Sequence, residues 1–282
     1  MTGTDQIAAK AGGVSPPASR SPRGLVPRTL SWLLRRPAWQ YMVADGPVLD
    51  QQDPPRFARA WIGLLGVSLL WGLAMAALYA ACWRIFGDFT GLPLIPAAAV
   101  LAGTMLGLYR RSLVNLAGLL GRDRPAESAI AAAVIVVVWA MVLLGLRSWN
   151  DDSPYNAILA TIRPPALFRA LLLAPLWGGW AMLATCQFRA AKPSPQPVTA
   201  ALAQGTGVLA APTVLAVLLV LTIVYFNHLP WTQLSISAVS VIVAVGSGLL
   251  AVRLEGALTR RALLSANLLT QLAFLLAYLA NR

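Results

Sequence analysis

About seven long apolar stretches, each close to the thickness of a lipid bilayer, constrain the fold of this chain more than any other feature. Only 11% of the residues are charged, against roughly 25% in a soluble domain, so water does not suit most of this surface. Helices satisfy their own backbone hydrogen bonds in lipid. The sequence therefore predicts an all-α fold, a polytopic transmembrane helical bundle of about seven helices. The predicted spans are 59–84, 92–109, 129–147, 166–188, 205–226, 233–252 and 262–280.

The positive charges predict the orientation of the bundle. With the N-terminus in the cytoplasm, most of the 22 Lys and Arg residues fall on the cytoplasmic side, as the positive-inside rule requires. We therefore expect a multi-pass protein of the bacterial inner (plasma) membrane with a cytoplasmic N-terminus. The net charge of +12 is explained by these loops, so nucleic acid is not an expected partner. The expected outside set is Arg84, Arg147, Arg163, Arg169 and Arg282.

The chain divides into a polar leader and a membrane domain. Residues 1–55 are basic and rich in Pro, Gly and Ser, which predicts a largely disordered cytoplasmic leader. Within it, aromatic and aliphatic residues alternate with arginines over 29–42, which suits a helix lying among lipid headgroups. A packed cytoplasmic cap is the alternative for this segment. Residues 56–282 form the predicted transmembrane helical domain.

Two clusters of basic and polar residues lie on the predicted cytoplasmic side. Two arginine pairs at one membrane face can bind a phosphate-bearing ligand or an anionic lipid through charge-assisted hydrogen bonds. Alternatively, these arginines only fix the orientation and meet the lipid bilayer without a specific ligand. The candidate ligand-facing residues are Tyr109, Arg110, Arg111, Asn115, Arg260, Arg261 and Asn267.

Three segments, in the same order, resemble motifs of one enzyme family. Residues 108–119 fall where the family has a His-x-Asp-Gly motif with further aspartates, and residues 174–182 are similar to a stretch ending Gly-Arg-Trp-Ala-Met. Residues 248–271 resemble the final motif, Gly-Gly-x-Thr-Gly-Asp-x-Leu-Gly-Ala. Over 58–282 the chain resembles cobalamin synthase, the adenosylcobinamide-GDP ribazoletransferase of cobalamin biosynthesis. The resemblance implies a glycophosphotransferase that joins α-ribazole to adenosylcobinamide-GDP, releases GMP and uses Mg²⁺.

The acidic residues of that family are missing here. In place of the motif histidine and aspartates stand Tyr109, Arg111, Asn115 and Gly118, and in place of a final Gly-Asp pair stand Arg260 and Arg261. Mg²⁺ prefers carboxylate and water oxygens, so the ligands that the family uses to hold it are lost and no cofactor is evident. Asp123 and Glu127 are weak candidates for replacement metal ligands.

Three hypotheses about function follow. The first is a cobalamin-synthase-like protein with a degenerate active site, which has lost or altered its catalysis and binds a phosphate-bearing ligand. The second is an active transferase of the same type that uses altered residues. The third is a structural or accessory subunit that binds a protein partner or a second copy of itself. The sequence leaves the catalytic residues unknown.

Overall fold

The computed structural model describes residues 36–90, 94–147, 166–225 and 230–281, and within these ranges it contains helices and no strand. The predicted leader up to residue 35, and with it the start of the 29–42 segment, lies outside the described residues, as do Arg163 and Arg282. Short 3₁₀ helices cover Pro54–Phe57 and Gln187–Ala190. The α-helices are α1 (Pro37–Val43), α2 (Gly46–Asp50), α3 (Ala60–Thr90), α4 (Leu94–Leu106), α5 (Arg110–Leu120), α6 (Pro125–Arg147), α7 (Ala166–Cys186), α8 (Pro197–Gly205), α9 (Ala210–Tyr225), α10 (Pro230–Glu255) and α11 (Arg260–Ala280).

Each of the seven predicted spans contains a helix, but only five helices of the described chain are individually long and apolar enough to cross a membrane. A sixth span exists if α8 and α9, which meet at a bend of 67°, are counted together. These helices indicate a multi-pass membrane protein. The segments that qualify singly are Ala60–Cys82, Pro125–Gly145, Phe168–Arg189, Leu234–Glu255 and Arg260–Ala280.

Two of the predicted spans are shorter than expected. At 1.5 Å per residue, the 13 residues of α4 reach about 20 Å and the 16 residues of α9 about 24 Å, against a hydrocarbon core of about 30 Å. The chain breaks between Gly205 and Ala210, ahead of Pro212. Proline is tolerated in the first turn of a helix because its missing N–H has no partner to lose there. Pro212 therefore belongs to the start of α9 and does not kink it.

Helices α7 and α11 form the centre of the bundle. In their apolar segments 83% and 72% of the residues are buried, whereas the values for α3 and α6 are 28% and 22%. Small residues allow this close packing: a Cβ atom at Gly72 of α3 would lie 2.6 Å from the carbonyl oxygen of Leu172 on α7. Such approach of helix backbones is typical of packing in lipid. The outer helices surround α7 and α11 and expose apolar side chains.

One end of the bundle collects many of the arginines, and we call it the basic end; it carries Arg56, Arg110, Arg111, Arg253 and Arg261. Here α11 begins beside α5, which the sequence analysis did not predict as a helix. Helix α5 is amphipathic, with Leu116 and Ala117 buried and Val114 exposed.

Helices α1 and α2 and the following 3₁₀ helix cover the basic end. Tyr41 and Met42 of α1 are 0% and 1% exposed, so these two side chains pack against the bundle. Arg169, which belongs to the expected outside set, lies in the first turn of α7 and is only 1% exposed. A fully buried arginine shows that counting charges by side does not separate solvated arginines from packed ones.

Candidate functional site

The guanidinium group of Arg261 is the centre of a polar cluster at the basic end. Its Nη1 and Nη2 atoms donate to Oδ2 and Oδ1 of Asp123 over 2.9 and 2.8 Å, and its Nε atom donates to the carbonyl oxygen of Asn115 over 3.2 Å. Glu255 Oε1 lies 3.4 Å from Nη1. The planar guanidinium fork thus holds a carboxylate in the two-pronged geometry that also suits phosphate.

A strained turn between α5 and α6 supplies the carboxylate. Arg122 and Asp123 have φ angles of 48° and 60°, in the left-handed region that residues other than glycine seldom adopt, although Asp does so more readily than most. The amide of Asp123 donates to the carbonyl oxygen of Gly118 over 2.9 Å. A Cβ atom at Gly118 would lie 2.7 Å from Nη2 of Arg261, so glycine makes room there for the guanidinium group.

The two partners of this ion pair differ in exposure. The side chain of Arg261 is 20% exposed, whereas that of Asp123 is 73% exposed. The hydrogen bonds from Arg261 lower the pKa of the Asp123 carboxyl from its ordinary value. The carboxylate is therefore charged at neutral pH and lies on the exposed side of the arginine.

Arg260, the preceding residue, binds a different part of the protein. It is 8% exposed; its Nε atom donates to the carbonyl oxygen of Tyr41 over 2.8 Å, and its guanidinium carbon lies 5.5 Å from the centre of the Tyr41 ring. Its backbone amide donates to Oε1 of Gln196 over 2.9 Å. The Tyr41 hydroxyl hydrogen-bonds the Thr199 hydroxyl at 3.1 Å, and burial raises the pKa of this phenol. Arg260 therefore ties α11 to the α1 cap.

Arg110 and Arg111 begin α5. Arg111 forms an ion pair with Asp45, the residue before α2, while Arg110 is exposed. The side chain of Asn115 donates to the carbonyl oxygen of Arg111 within the same helix, over 2.8 Å. Of the predicted ligand-facing residues on α5, the structure brings only the Asn115 backbone into contact with Arg261, and Arg111 holds the cap.

Tyr109 and Asn267 lie deeper, in a buried polar centre between α5, α7 and α11. Tyr109 is 0% exposed, and its ring packs edge-to-face against the ring of Trp71, with 6.4 Å between the ring centres. Gln271 Nε2 donates to Asn267 Oδ1 over 2.6 Å, and Asn267 Nδ2 donates to the sulfur of Met182 over 3.4 Å. A Cβ atom at Gly178 would lie 2.7 Å from Cγ and Nε2 of Gln271. Gly178 thus opens the space that this amide occupies.

The weak metal candidates are both engaged by arginines. Asp123 binds Arg261, and Glu127 accepts a hydrogen bond from Arg124 over 2.7 Å. Within the part of the chain that the structure describes, no group of three or more His, Cys, Asp or Glu residues is placed to hold a metal ion. Because each of these carboxylates already neutralises a guanidinium group, this donor set does not suit Mg²⁺, which prefers several hard oxygen ligands.

Sequence analysis missed several residues of this site. Gln271 lies one helical turn after Asn267, a spacing that signals a shared face, yet Gln in an apolar helix gives no indication of its partner. The role of Gln196 depends on a contact with a distant segment, since its Oε1 atom accepts from the backbone amide of Arg260. No protein-family model, curated protein or solved structure matches the chain. The resemblance to cobalamin synthase therefore stays a prediction.

Proposed function

We propose that this chain is a membrane-embedded binding protein of cobalamin-synthase type, which binds a phosphate-bearing ligand at its cytoplasmic, basic end through Arg261. The proposal rests on one observation: the first and second segments that resemble the family both contact the third, on α11. Arg261 contacts Asn115 from the first segment that resembles the family, and Asn267 contacts Met182 from the second. These are the segments in which the family resemblance lies, so their proximity supports a common site.

The chemistry of the cluster favours binding over metal-assisted transfer. The family reaction depends on Mg²⁺ to neutralise a pyrophosphate, and the carboxylates here are engaged by arginines instead. A guanidinium fork can neutralise a phosphate without metal. In the proposed mechanism the phosphate replaces Asp123 on Nη1 and Nη2 of Arg261, and the exposed turn that carries Asp123 moves aside. No bond is made or broken in the ligand.

Three variants test this exchange. Detergent-purified protein is titrated with GMP and with adenosylcobinamide-GDP, with and without Mg²⁺, and the heat of binding is measured. Asp123→Asn removes the competing charge and is expected to tighten binding, whereas Arg261→Gln is expected to abolish it. Arg253→Gln, which removes an exposed arginine from the last turn of α10, is the matched control and should bind as the wild type does.

The outcomes separate the hypotheses. Binding that needs Mg²⁺ and survives Arg261→Gln would contradict the proposal and favour the active transferase. Absence of binding by both the wild type and Asp123→Asn would refute the proposed phosphate site. In that case, purification of a partner protein at fixed stoichiometry would support the accessory-subunit hypothesis.

A further inference from the structure

A second anion-facing feature lies on the outer surface, away from the Arg261 cluster. A groove of about 520 Å³ runs between α1 and the first half of α3. Gly63, Gly66 and Val67 line it, together with the apolar side chains of Ile62 and Leu70, which are more than half exposed. This volume lies within the range of about 300–1,000 Å³ that is typical of ligand pockets.

Three arginines surround the end of this groove: Arg36, Arg56 and Arg59. All three are exposed at the basic end of the bundle, and Arg56 has only a loose, solvated ion pair with Asp53 at 3.6 Å. The rest of the lining is apolar or small. The groove therefore combines a cationic entrance with an apolar trough along a helix that is long enough to span a membrane.

A second apolar groove meets the first at Gly66. It has a volume of about 270 Å³ and lies between α3, α7 and α9, where Leu69, Leu176 and Val217 line it. A Cβ atom at Gly66 would have no neighbour within 4 Å, so glycine leaves the junction of the two grooves open. Both grooves start from the same end of the bundle, because Gly66 and Thr213 each lie near the start of their helices.

We propose that these grooves bind one anionic diacyl phospholipid of the leaflet at the basic end. The headgroup phosphate lies among Arg36, Arg56 and Arg59, and the two acyl chains follow the two grooves from their junction at Gly66. The three arginines favour an anionic headgroup over a zwitterionic one. The two grooves that meet at Gly66 match the two acyl chains. This site is separate from the Arg261 cluster and does not depend on the function proposed above.

The test is native mass spectrometry of the full-length protein in a mild detergent, with phosphatidylglycerol added over a range of concentrations. Phosphatidylcholine of the same acyl length is the neutral probe, and inorganic phosphate is the competitor without chains. Arg56→Gln with Arg59→Gln is expected to weaken phosphatidylglycerol binding about tenfold. Arg122→Gln with Arg253→Gln removes two exposed arginines elsewhere at the basic end and should leave binding unchanged.

Gly66→Leu tests whether the acyl chains occupy the apolar grooves, and it leaves the three arginines unchanged. The new side chain enters open space, so the bundle is expected to fold, and it displaces about two methylene groups of the lipid, which weakens binding roughly tenfold. Gly246→Leu on α10 is the matched control, because a Cβ there also has no neighbour within 4 Å. Equal binding by Gly66→Leu and Gly246→Leu would overturn the proposal. Equal affinity for the two lipids, or full displacement by inorganic phosphate, would overturn it as well.

Discussion

The close approach of α7 and α11 at the buried polar centre yields a quantitative prediction. Gly178→Ala places a methyl group 2.7 Å from Cγ and Nε2 of Gln271 and 2.9 Å from the backbone carbonyl oxygen of Asn267. Ordinary contacts at Cβ begin near 3.4 Å, so both neighbours are too close. Gln271 can rotate, but the Asn267 carbonyl belongs to α11 and can yield only if the two helices separate.

Gly246→Ala on α10 isolates this steric cost. Both variants replace a glycine inside a helix, so both gain the same helix propensity, about 1 kcal/mol, and only Gly178→Ala meets neighbours. Overpacking of a filled core costs about 1–3 kcal/mol. We therefore expect the free energy of unfolding of Gly178→Ala to be about 1–3 kcal/mol lower than that of Gly246→Ala, measured by reversible SDS titration in mixed micelles.

A second substitution tests whether the cost comes from this site. Gln271→Ala removes the Cγ and Nε2 atoms that the new methyl group meets, so in the Gly178→Ala background it should recover part of the lost stability. In the wild-type background the same change leaves Asn267 Oδ1 without its donor and is expected to cost about 1 kcal/mol. Equal stabilities of Gly178→Ala and Gly246→Ala would refute the described packing. The non-additive part of the effects of Gly178→Ala and Gln271→Ala measures how much of the cost comes from Gln271 rather than from the Asn267 carbonyl group.

Three further predictions concern the basic end. Tyr41→Phe removes the hydrogen bond to Thr199 and should lower the free energy of unfolding by about 0.5–1.5 kcal/mol, and a value equal to that of the wild type would contradict this bond. Arg260→Lys keeps the charge but loses the planar group against the Tyr41 ring, so the thermal midpoint should fall. An unchanged midpoint would show that Arg260 does not stabilise the contact between α11 and α1. The Asp123 carboxyl has a lowered pKa in the folded protein, so its stabilising contribution is present above the unfolded pKa of about 3.9 and is lost only as the pH falls through the lower folded value. The difference in thermal midpoint between wild type and Asp123→Asn should therefore be constant from pH 7 to about pH 5 and vanish at the acidic limit. Loss of this difference near pH 6 would refute the lowered pKa of Asp123.

The apolar stretches predicted the helices well because hydrophobic length is a local property. Each predicted span contains a helix, and the outer helices expose the apolar surface expected in lipid. The amphipathic helix α5 was missed because its 11 residues mix Arg and Asn with leucines and are too short to span a bilayer. The turn at Arg122 and Asp123 was also missed, because positive φ angles at residues other than glycine leave no reliable mark in sequence.

The arginines of the basic end show why a charge pattern alone does not identify a ligand site. Arg260 and Arg261 are neighbours and contribute equally to any count of charges by side, yet one lies against the Tyr41 ring and the other binds a carboxylate at the protein surface. Removal of a buried arginine leaves its carbonyl acceptor without a donor and loosens the cap, whereas an arginine paired with an exposed carboxylate can exchange that partner for another anion. A ligand site therefore requires a cation that is fixed in position but whose counter-ion is solvated. Arg261 meets both conditions with respect to Asp123, because its Nε atom is held by the Asn115 carbonyl oxygen and Asp123 is exposed. Glu255, which lies 3.4 Å from Nη1 and is 19% exposed, is a second carboxylate that stays beside the guanidinium group.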